Sequence, residues 1–339
     1  MAGTAPPADD TTSSRKRPGP IILVASSGGH LSQLVSLSER FVPTRATRWV
    51  TFETDQSTTL LRGKPVSYVP YIAPRAWRQL LRTIPAAWRE LRTERPEIVV
   101  STGAAIALAY LPLARLLRIE AHYIESATRA ERPSMTGRIL RFVPGVHLHT
   151  QHVALAERPW TFVGSVFEGF EAVARPCRPL QKAVVALGTI EPFEFTRLVE
   201  RMIDILPEHI DVVWQTGATD VSDLPIEGRR SMSSTEFEEA IAAADVVVAH
   251  AGTGTALTCL QLGVRPVLVP RRAAHGEHVD DHQKETADYL ARLNVAAVAE
   301  ADRLELHDLE AATGWHVRKP TAPIPIELSR HRTRGAQPT

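Results

Sequence analysis

The 339-residue chain has two cysteines, Cys177 and Cys259. They offer no disulfide framework and no cysteine-based metal site, and they fit a reducing compartment. Long apolar runs are missing too: residues 21–26 are short, and 104–117 are interrupted by Pro112 and Arg115. Neither reaches the about 20 apolar residues that a membrane-crossing helix needs, so the chain reads as soluble or peripheral. Residues 1–19 are rich in Pro, Ser, Thr and Asp and end near Arg15-Lys16-Arg17 without a secretory apolar segment, which reads as a disordered leader.

Net charge is also small, at +1, but it is unevenly spread. Residues 15–165 carry 21 basic and 10 acidic side chains, whereas residues 182–320 carry 13 and 23. The two halves therefore face different partners. The basic half holds no recognisable RNA or DNA motif, so nucleic acid is not expected among them.

What is present is a repeated alternation. Apolar runs at 21–25, 48–52, 66–69, 97–100, 121–124 and 146–148 are separated by helical patterns, as in right-handed βαβ units. Gly164, Gly169, Pro176 and Pro179 break the pattern, marking a linker over 166–182. It restarts at 184–187, 212–214, 246–249, 267–269 and 295–298. The expected class is α/β, with two Rossmann-like domains, 20–165 and 183–318, facing across a cleft, and a flexible tail at 319–339. Ligands in such folds bind at the carboxyl ends of the strands.

The loops at those ends carry the chemistry. His250-Ala251-Gly252-Thr253-Gly254-Thr255 follows the strand Val246-Val247-Val248-Ala249 and opens a helix at Ala256. A glycine turn into a helix leaves unpaired N–H groups and a positive dipole end, a geometry that suits phosphate. The sequence lacks both the Lys-Ser/Thr of a P-loop and a G-x-G-x-x-G fingerprint, and a tight turn alone would also use Gly252 and Gly254. Ser26-Ser27-Gly28-Gly29-His30, Thr102-Gly103-Ala104 and Glu125-Ser126 face the cleft from the first domain. Gly188-Thr189, Gln215-Thr216-Gly217 and the segment after Pro270 face it from the second.

The run from His250 through Gly263-Val-Arg-Pro-Val-Leu-Val-Pro270 to Gly276-Glu-His-Val-Asp-Asp-His-Gln283 resembles the donor half of glycosyltransferase family 28 and its relatives. Ile124-Glu125-Ser126 and Ser26-Ser-Gly-Gly-His30 resemble the acceptor half. The likeness extends to the two-subunit N-acetylglucosaminyltransferase of dolichol- and polyprenyl-linked sugars, with both subunits fused, and to bacterial exopolysaccharide glycosyltransferases. It implies a GT-B type fold and an inverting transfer of N-acetylglucosamine or another hexose from a UDP-sugar. The implied acceptor is a polyprenyl-diphosphate-linked sugar in polysaccharide or glycan assembly. A soluble small-molecule acceptor and a non-catalytic nucleotide-sugar-binding homologue are the alternatives.

On this resemblance the donor site comprises Gly188, Thr189, Gln215, His250, Gly252, Thr253, Gly254, Thr255, Thr258, Glu277, Asp281, His282 and Gln283. The loop N–H groups and the Thr253 and Thr255 hydroxyls take the diphosphate, with His250 as a further donor to it, so neither metal nor cofactor is expected. His282-Gln283 hold the donor sugar's hydroxyls, with Asp281 and Glu277 as acceptors. Read without the family, His278 and His282 with Glu277, Asp280 and Asp281 offer a metal site, and Asp280 also suits a solvated helix start. Thr258 departs from the family, which places an acid there to clamp the ribose diol; a threonine offers one donor.

In the first domain, Ser27, Gly28, Gly29, Gly103 and Arg129 are expected to contact the acceptor. His30 is the candidate base for the acceptor hydroxyl, or a contact to an acceptor phosphate. Glu125 is the rival base, its bland alternative being a salt bridge to Arg129 or Arg132. Residues 75–95 place Trp77, Leu80, Leu81, Ile84, Trp88 and Leu91 at helical spacing among Arg75, Arg78, Arg82, Arg89, Arg92 and Arg95. This reads as a core helix with a basic outer face or as an element lying on anionic lipid. Arg115, Arg118, Arg138, Arg141, Leu116, Leu140 and Phe142 extend the second possibility, and the expected location is the cytoplasmic face of the membrane.

Overall fold

The computed structural model describes residues 20–42, 47–73, 76–189, 191–320 and 325–328; the leader, Arg75, Arg330, Arg332 and Arg334 lie outside them. The first half runs β1 (Ile21–Ala25), α1 (Gly29–Ser38), β2 (Phe41–Val42), β3 (Thr47–Phe52), α2 (Asp55–Leu60), β4 (Val66–Val69) and α3 (Trp77–Glu94). It continues with β5 (Ile98–Gly103), α4 (Ile106–Leu116), β6 (Glu120–Ile124), α5 (Met135–Leu140), β7 (Val146–Thr150) and β8 (Trp160–Phe162). Seven of its strands form a parallel sheet in the order β4-β3-β1-β5-β6-β7-β8. β1 and β5 are buried along their whole length, the reason both read as unbroken apolar runs at their core.

The second half holds β9 (Glu171–Ala174), β10 (Lys182–Ala186), α6 (Thr196–Ile205), β11 (Asp211–Gln215), β12 (Gly228–Arg229), α7 (Ser234–Ala243), β13 (Val246–His250) and α8 (Thr253–Gln261). β14 (Val267–Val269), α9 (His282–Arg292), β15 (Ala297–Val298), α10 (Leu306–Ala312), β16 (Trp315–Arg318) and β17 (Ile326–Glu327) follow. Its six-stranded parallel sheet has the order β12-β11-β10-β13-β14-β15. Strand order reverses between β1 and β5 in one sheet and between β10 and β13 in the other. Such reversals open a crevice, since the flanking connections leave on opposite faces. The loops after β1, β5, β10 and β13 are the glycine loops singled out by the sequence.

Two stretches differ from their sequence reading. The linker is not structureless: β9 lies within it and pairs antiparallel with β16, Val173 opposite His316. The tail is not wholly loose either, because β17 pairs in parallel with β2, Ile326 opposite Phe41, while Ile326 and Leu328 are buried. Both strands are too short to show periodicity in sequence. The apolar cluster that Ile326, Leu328 and Val317 of β16 join also contains Leu31 and Leu34 of α1 and Leu257 and Leu260 of α8, so one core spans both halves.

α3 buries Leu80, Thr83, Ala87 and Leu91 and leaves Trp77 and Leu81 exposed, so it is a core helix with an apolar patch outside. In a parallel sheet the helices run against the strands, so α3 and α5 start at the cleft end. Exposed Tyr71, Trp77, Leu81 and Met135 therefore belong to the cleft end. Exposed Leu116 and Phe142 follow helix C-termini at the opposite end, and Leu140 is buried, so these residues do not extend the same patch. Arg115 is likewise engaged at that end, donating to the Ile119 carbonyl at 2.9 Å.

Ile326→Ala removes a buried side chain from the returning strand and is expected to cost about 2–4 kcal/mol. Urea denaturation of the variant beside the parent checks this.

Candidate functional site

The site is built where two helices begin. α1 starts from Gly28 and α8 from Gly252; neither cap uses a side chain, and neither first turn contains an acid. The leading N–H groups of both helices thus lack the usual intrahelical partners. Across the cleft the two starts touch: a Cβ on Gly254 would stand 3.4 Å from the Gly29 Cα and 3.5 Å from the Ser32 hydroxyl. Gly28 has φ 81°, a conformation side chains resist, and its N–H donates to Gln56 Oε1 at 2.6 Å. The Thr253 hydroxyl, in a residue 3% exposed, is buried without a partner among the described residues in the same first turn of α8. Together these make a pocket of positive potential that suits an anion.

His30 lies in the first turn of α1 beside Gly103, where an added Cβ would sit 3.1 Å from the imidazole. Its Nδ1 is 2.6 Å from the Thr102 carbonyl, which only accepts, so Nδ1 carries the proton and Nε2 keeps a lone pair. Burial lowers its pKa to about 4, with Arg129 and His282 lowering it further against the Thr102 hydrogen bond. His30 is accordingly neutral at physiological pH, with a free basic nitrogen.

Glu125 is placed otherwise. The residue is 1% exposed, and its carboxylate accepts from the Tyr123 hydroxyl at 3.0 Å, Ser126 N at 3.1 Å, Ser134 N at 2.9 Å and the Ser134 hydroxyl at 3.0 Å. Burial raises its pKa against those hydrogen bonds. A carboxylate held by these four donors anchors the loop, and its partners are not Arg129 or Arg132. Arg129 instead crosses the cleft to Asp280, at 3.1 Å.

In the second domain, His250 Nδ1 approaches the Ala186 carbonyl at 3.2 Å, so the proton sits on Nδ1. Burial lowers its pKa to about 3, with Arg271 the next cause. Neutral His250 therefore has no N–H left for a phosphate; it is a packed strand-end residue, and its ring occupies the space where Gly252 would carry a Cβ. The Thr258 hydroxyl donates to the Gly254 carbonyl at 3.0 Å within its own helix, leaving only acceptor capacity toward a ribose. Gln215 is buried and donates weakly to the Arg230 carbonyl at 3.3 Å, whereas Thr189 is exposed at the loop tip. Gly188, Gly252, Thr253, Gly254 and Thr255 lie together around the β10–β13 crevice.

The segment before α9 departs most from expectation. Glu277 forms a bidentate pair with Arg197 at 2.9 and 3.2 Å and accepts from Arg272 N at 2.8 Å. Asp281 accepts from Ala273 N at 3.0 Å. Both carboxylates brace the loop, Glu277 with both oxygens engaged and Asp281 with its side chain half exposed. The acid at the centre is Asp280, which binds Arg129 from the first domain and the Nδ1 of His282. Those partners hold its carboxyl well below the usual range, His282 being the largest cause. Ligand atoms of His278, Asp280 and His282 lie within 4.8 Å of one another, so any metal reading rests on Asp280 rather than Glu277 or Asp281. Gln283 is buried with its carbonyl on Arg271 N at 3.0 Å, leaving its NH₂ as donor.

Sequence reasoning also missed Arg271. Its guanidinium is packed against Gly188, with the residue only 1% exposed. The signal was there, two arginines following a buried strand, but nothing in sequence distinguishes Arg271 from Arg272.

The fold is that of GT-B glycosyltransferases, two Rossmann-like domains facing across a cleft. MurG of Acinetobacter baumannii superposes with a TM-score of 0.54 at 18% identity, over 87% of this chain and 89% of that one. The glycosyltransferase SsfS6 of Streptomyces sp. SF2575, complexed with thymidine diphosphate, gives 0.52 at 21% identity over 87% and 90%. Residues 183–324 match the glycosyltransferase family 28 C-terminal domain. A Polaromonas sp. relative is a UDP-N-acetylglucosamine–N-acetylmuramyl-(pentapeptide) pyrophosphoryl-undecaprenol N-acetylglucosamine transferase. It is 24% identical over 269 residues, 68% of this chain, which spans 65% of that relative's length. Among the described residues, no helix is long and apolar enough to cross a membrane.

His30, His250 and His278 are held neutral, with pKa values of about 4, 3 and 4. The unfolded chain protonates them near pH 6.5 and the folded chain does not, so stability is expected to fall as pH drops from about 6.5 toward 4. His250→Asn, which cannot titrate, is expected to shrink the stability loss between pH 7 and pH 5 by up to about 2 kcal/mol. Urea titrations at both pH values measure it.

Proposed function

We propose that the protein is an inverting glycosyltransferase that moves a hexose, with N-acetylglucosamine the leading candidate, from a UDP-sugar to a polyprenyl-diphosphate-linked sugar. The observation that carries this reading is the meeting of two uncapped helix starts, α1 and α8, around the buried, unpartnered Thr253 hydroxyl. A donor diphosphate is the anion that fits the α8 side, at the crevice of the second sheet. Its N–H groups stabilise charge that grows as the nucleoside diphosphate departs.

In the proposed step the acceptor hydroxyl attacks the anomeric carbon from the face opposite the diphosphate. Its proton passes to Nε2 of His30, the anomeric carbon–oxygen bond breaks, and UDP leaves with the electron pair. Neutral His30, its Nδ1 proton fixed on Thr102, suits that duty. Arg129 and Asp280 tie the acceptor-side loop to His282, which with Gln283 faces the donor sugar in this reading. Ser27, Gly28, Gly29 and Gly103 border the acceptor.

The acceptor class is inferred from the undecaprenol-linked substrate of the Polaromonas relative and from the apolar residues at the cleft end, Tyr71, Trp77, Leu81 and Met135, with Arg78 and Arg82 on the same helix as Trp77 and Leu81. Such a rim would rest on an anionic bilayer, placing the protein peripherally on the cytoplasmic face.

A donor and acceptor screen with purified protein tests the reaction. His30→Ala is expected to lower kcat by at least about 100-fold. Gly254→Val, whose branches press on Gly29 and Ser32, is expected to abolish transfer. Unchanged transfer in both variants overturns the assignment. In vesicle sedimentation, anionic lipid is expected to bind the parent and to lose a double Trp77→Ala, Leu81→Ser variant. No vesicle binding by the parent, together with turnover of a soluble aglycone, overturns the lipid-linked reading.

A further inference from the structure

Arg271 and Arg272 are neighbours in sequence and opposites in surroundings. Arg272 is balanced, with Glu300 at 3.3 Å and Asp281 at 3.8 Å. Arg271 is 1% exposed, and among the described residues no carboxylate lies within ion-pair distance of it. Glu277, the acid whose charge acts on it, is already paired with Arg197. Nη2 of Arg271 donates to the Gly188 carbonyl at 3.0 Å, Nε is buried with no partner, and the guanidinium lies 5.8 Å over the Phe195 ring. Burial lowers its pKa to about 10, so it stays charged at neutral pH.

A buried cation without a counter-charge is unfavourable unless an anion completes the site. Its position says which anion. The guanidinium is pressed against Gly188 at the end of β10, where a Cβ would stand 2.7 Å from Nη1 and 3.1 Å from His250, the residue that leads into the α8 loop. The missing charge therefore belongs in the crevice between β10 and β13.

We infer that Arg271 is the fixed counter-charge for the donor's diphosphate: a positioning residue that acts from behind Gly188 and holds the Gly188 loop against the nucleotide. This rests on the donor-binding reading above. Because the guanidinium lies beneath the loop, its effect is expected on the diphosphate and not on the nucleoside. Arginine fits this place because it keeps its charge under burial that would neutralise a lysine.

Calorimetric titration of the full chain with UDP and with uridine tests the inference, using R271Q, which keeps a donor for the Gly188 carbonyl without the charge. R271Q is expected to weaken UDP at least tenfold and to leave uridine within twofold. An unchanged preference for UDP over uridine, or an equal loss of both ligands, overturns the proposal. R271K supplies an independent measurement should R271Q not fold. Its UDP affinity is expected to fall more steeply than the parent's between pH 7 and pH 9, as the buried lysine loses its proton before the arginine does; an R271K profile parallel to the parent's overturns the proposal. A parent chain that binds UDP no better than uridine overturns the donor reading and this inference together, whereas failure of the variants alone leaves that reading standing.

Discussion

Everything in the cleft depends on two helices that begin nose to nose. α1 and α8 each start at a glycine, with no capping side chain and no acid in the first turn, and Gly29 and Gly254 nearly touch. Two like dipole ends repel at that range unless an anion lies near them, so the fold concentrates unfavourable potential at one point. The single core that runs beneath both helices, from Leu31 and Leu34 to Leu257 and Leu260, holds them there. Apolar burial thus stabilises an arrangement that electrostatics alone disfavours.

The architecture was legible because strands buried on both faces leave unbroken apolar runs, and the glycine loops because a strand-to-helix turn needs glycine. β9, β16 and β17 were not legible: strands of two to four residues paired at long range carry no local pattern. The loop positions of the site could be read, but the state of each side chain could not. Sequence offers Glu125, Glu277 and Asp281 as free acids, and the structure surrounds the first two with donors and ties the third to the Ala273 N–H. Asp280, which looked the most dispensable, is the one shared by Arg129 and His282.

The histidines show the same rule. A histidine beside a glycine loop looks like a hydrogen-bond donor to a ligand, but the carbonyl behind it decides. Thr102 fixes the proton of His30 and Ala186 that of His250, so both rings turn a bare nitrogen outward from the same kind of contact. For His30 that suits proton acceptance; for His250 it removes the proposed donor role. One geometric fact, invisible in sequence, sends two similar residues to different roles.

The pairing of β17 with β2 has a mechanical consequence. The chain passes from its first half to its second over residues 163–182, and Ile326 and Leu328 are buried back in the first half. A single crossing would let one half swivel freely about the other. The two crossings start side by side, where a Cβ on Gly169 would stand 2.8 Å from Pro320, so the second braces the first. That brace helps to keep the glycine loops in register and Arg129 opposite Asp280.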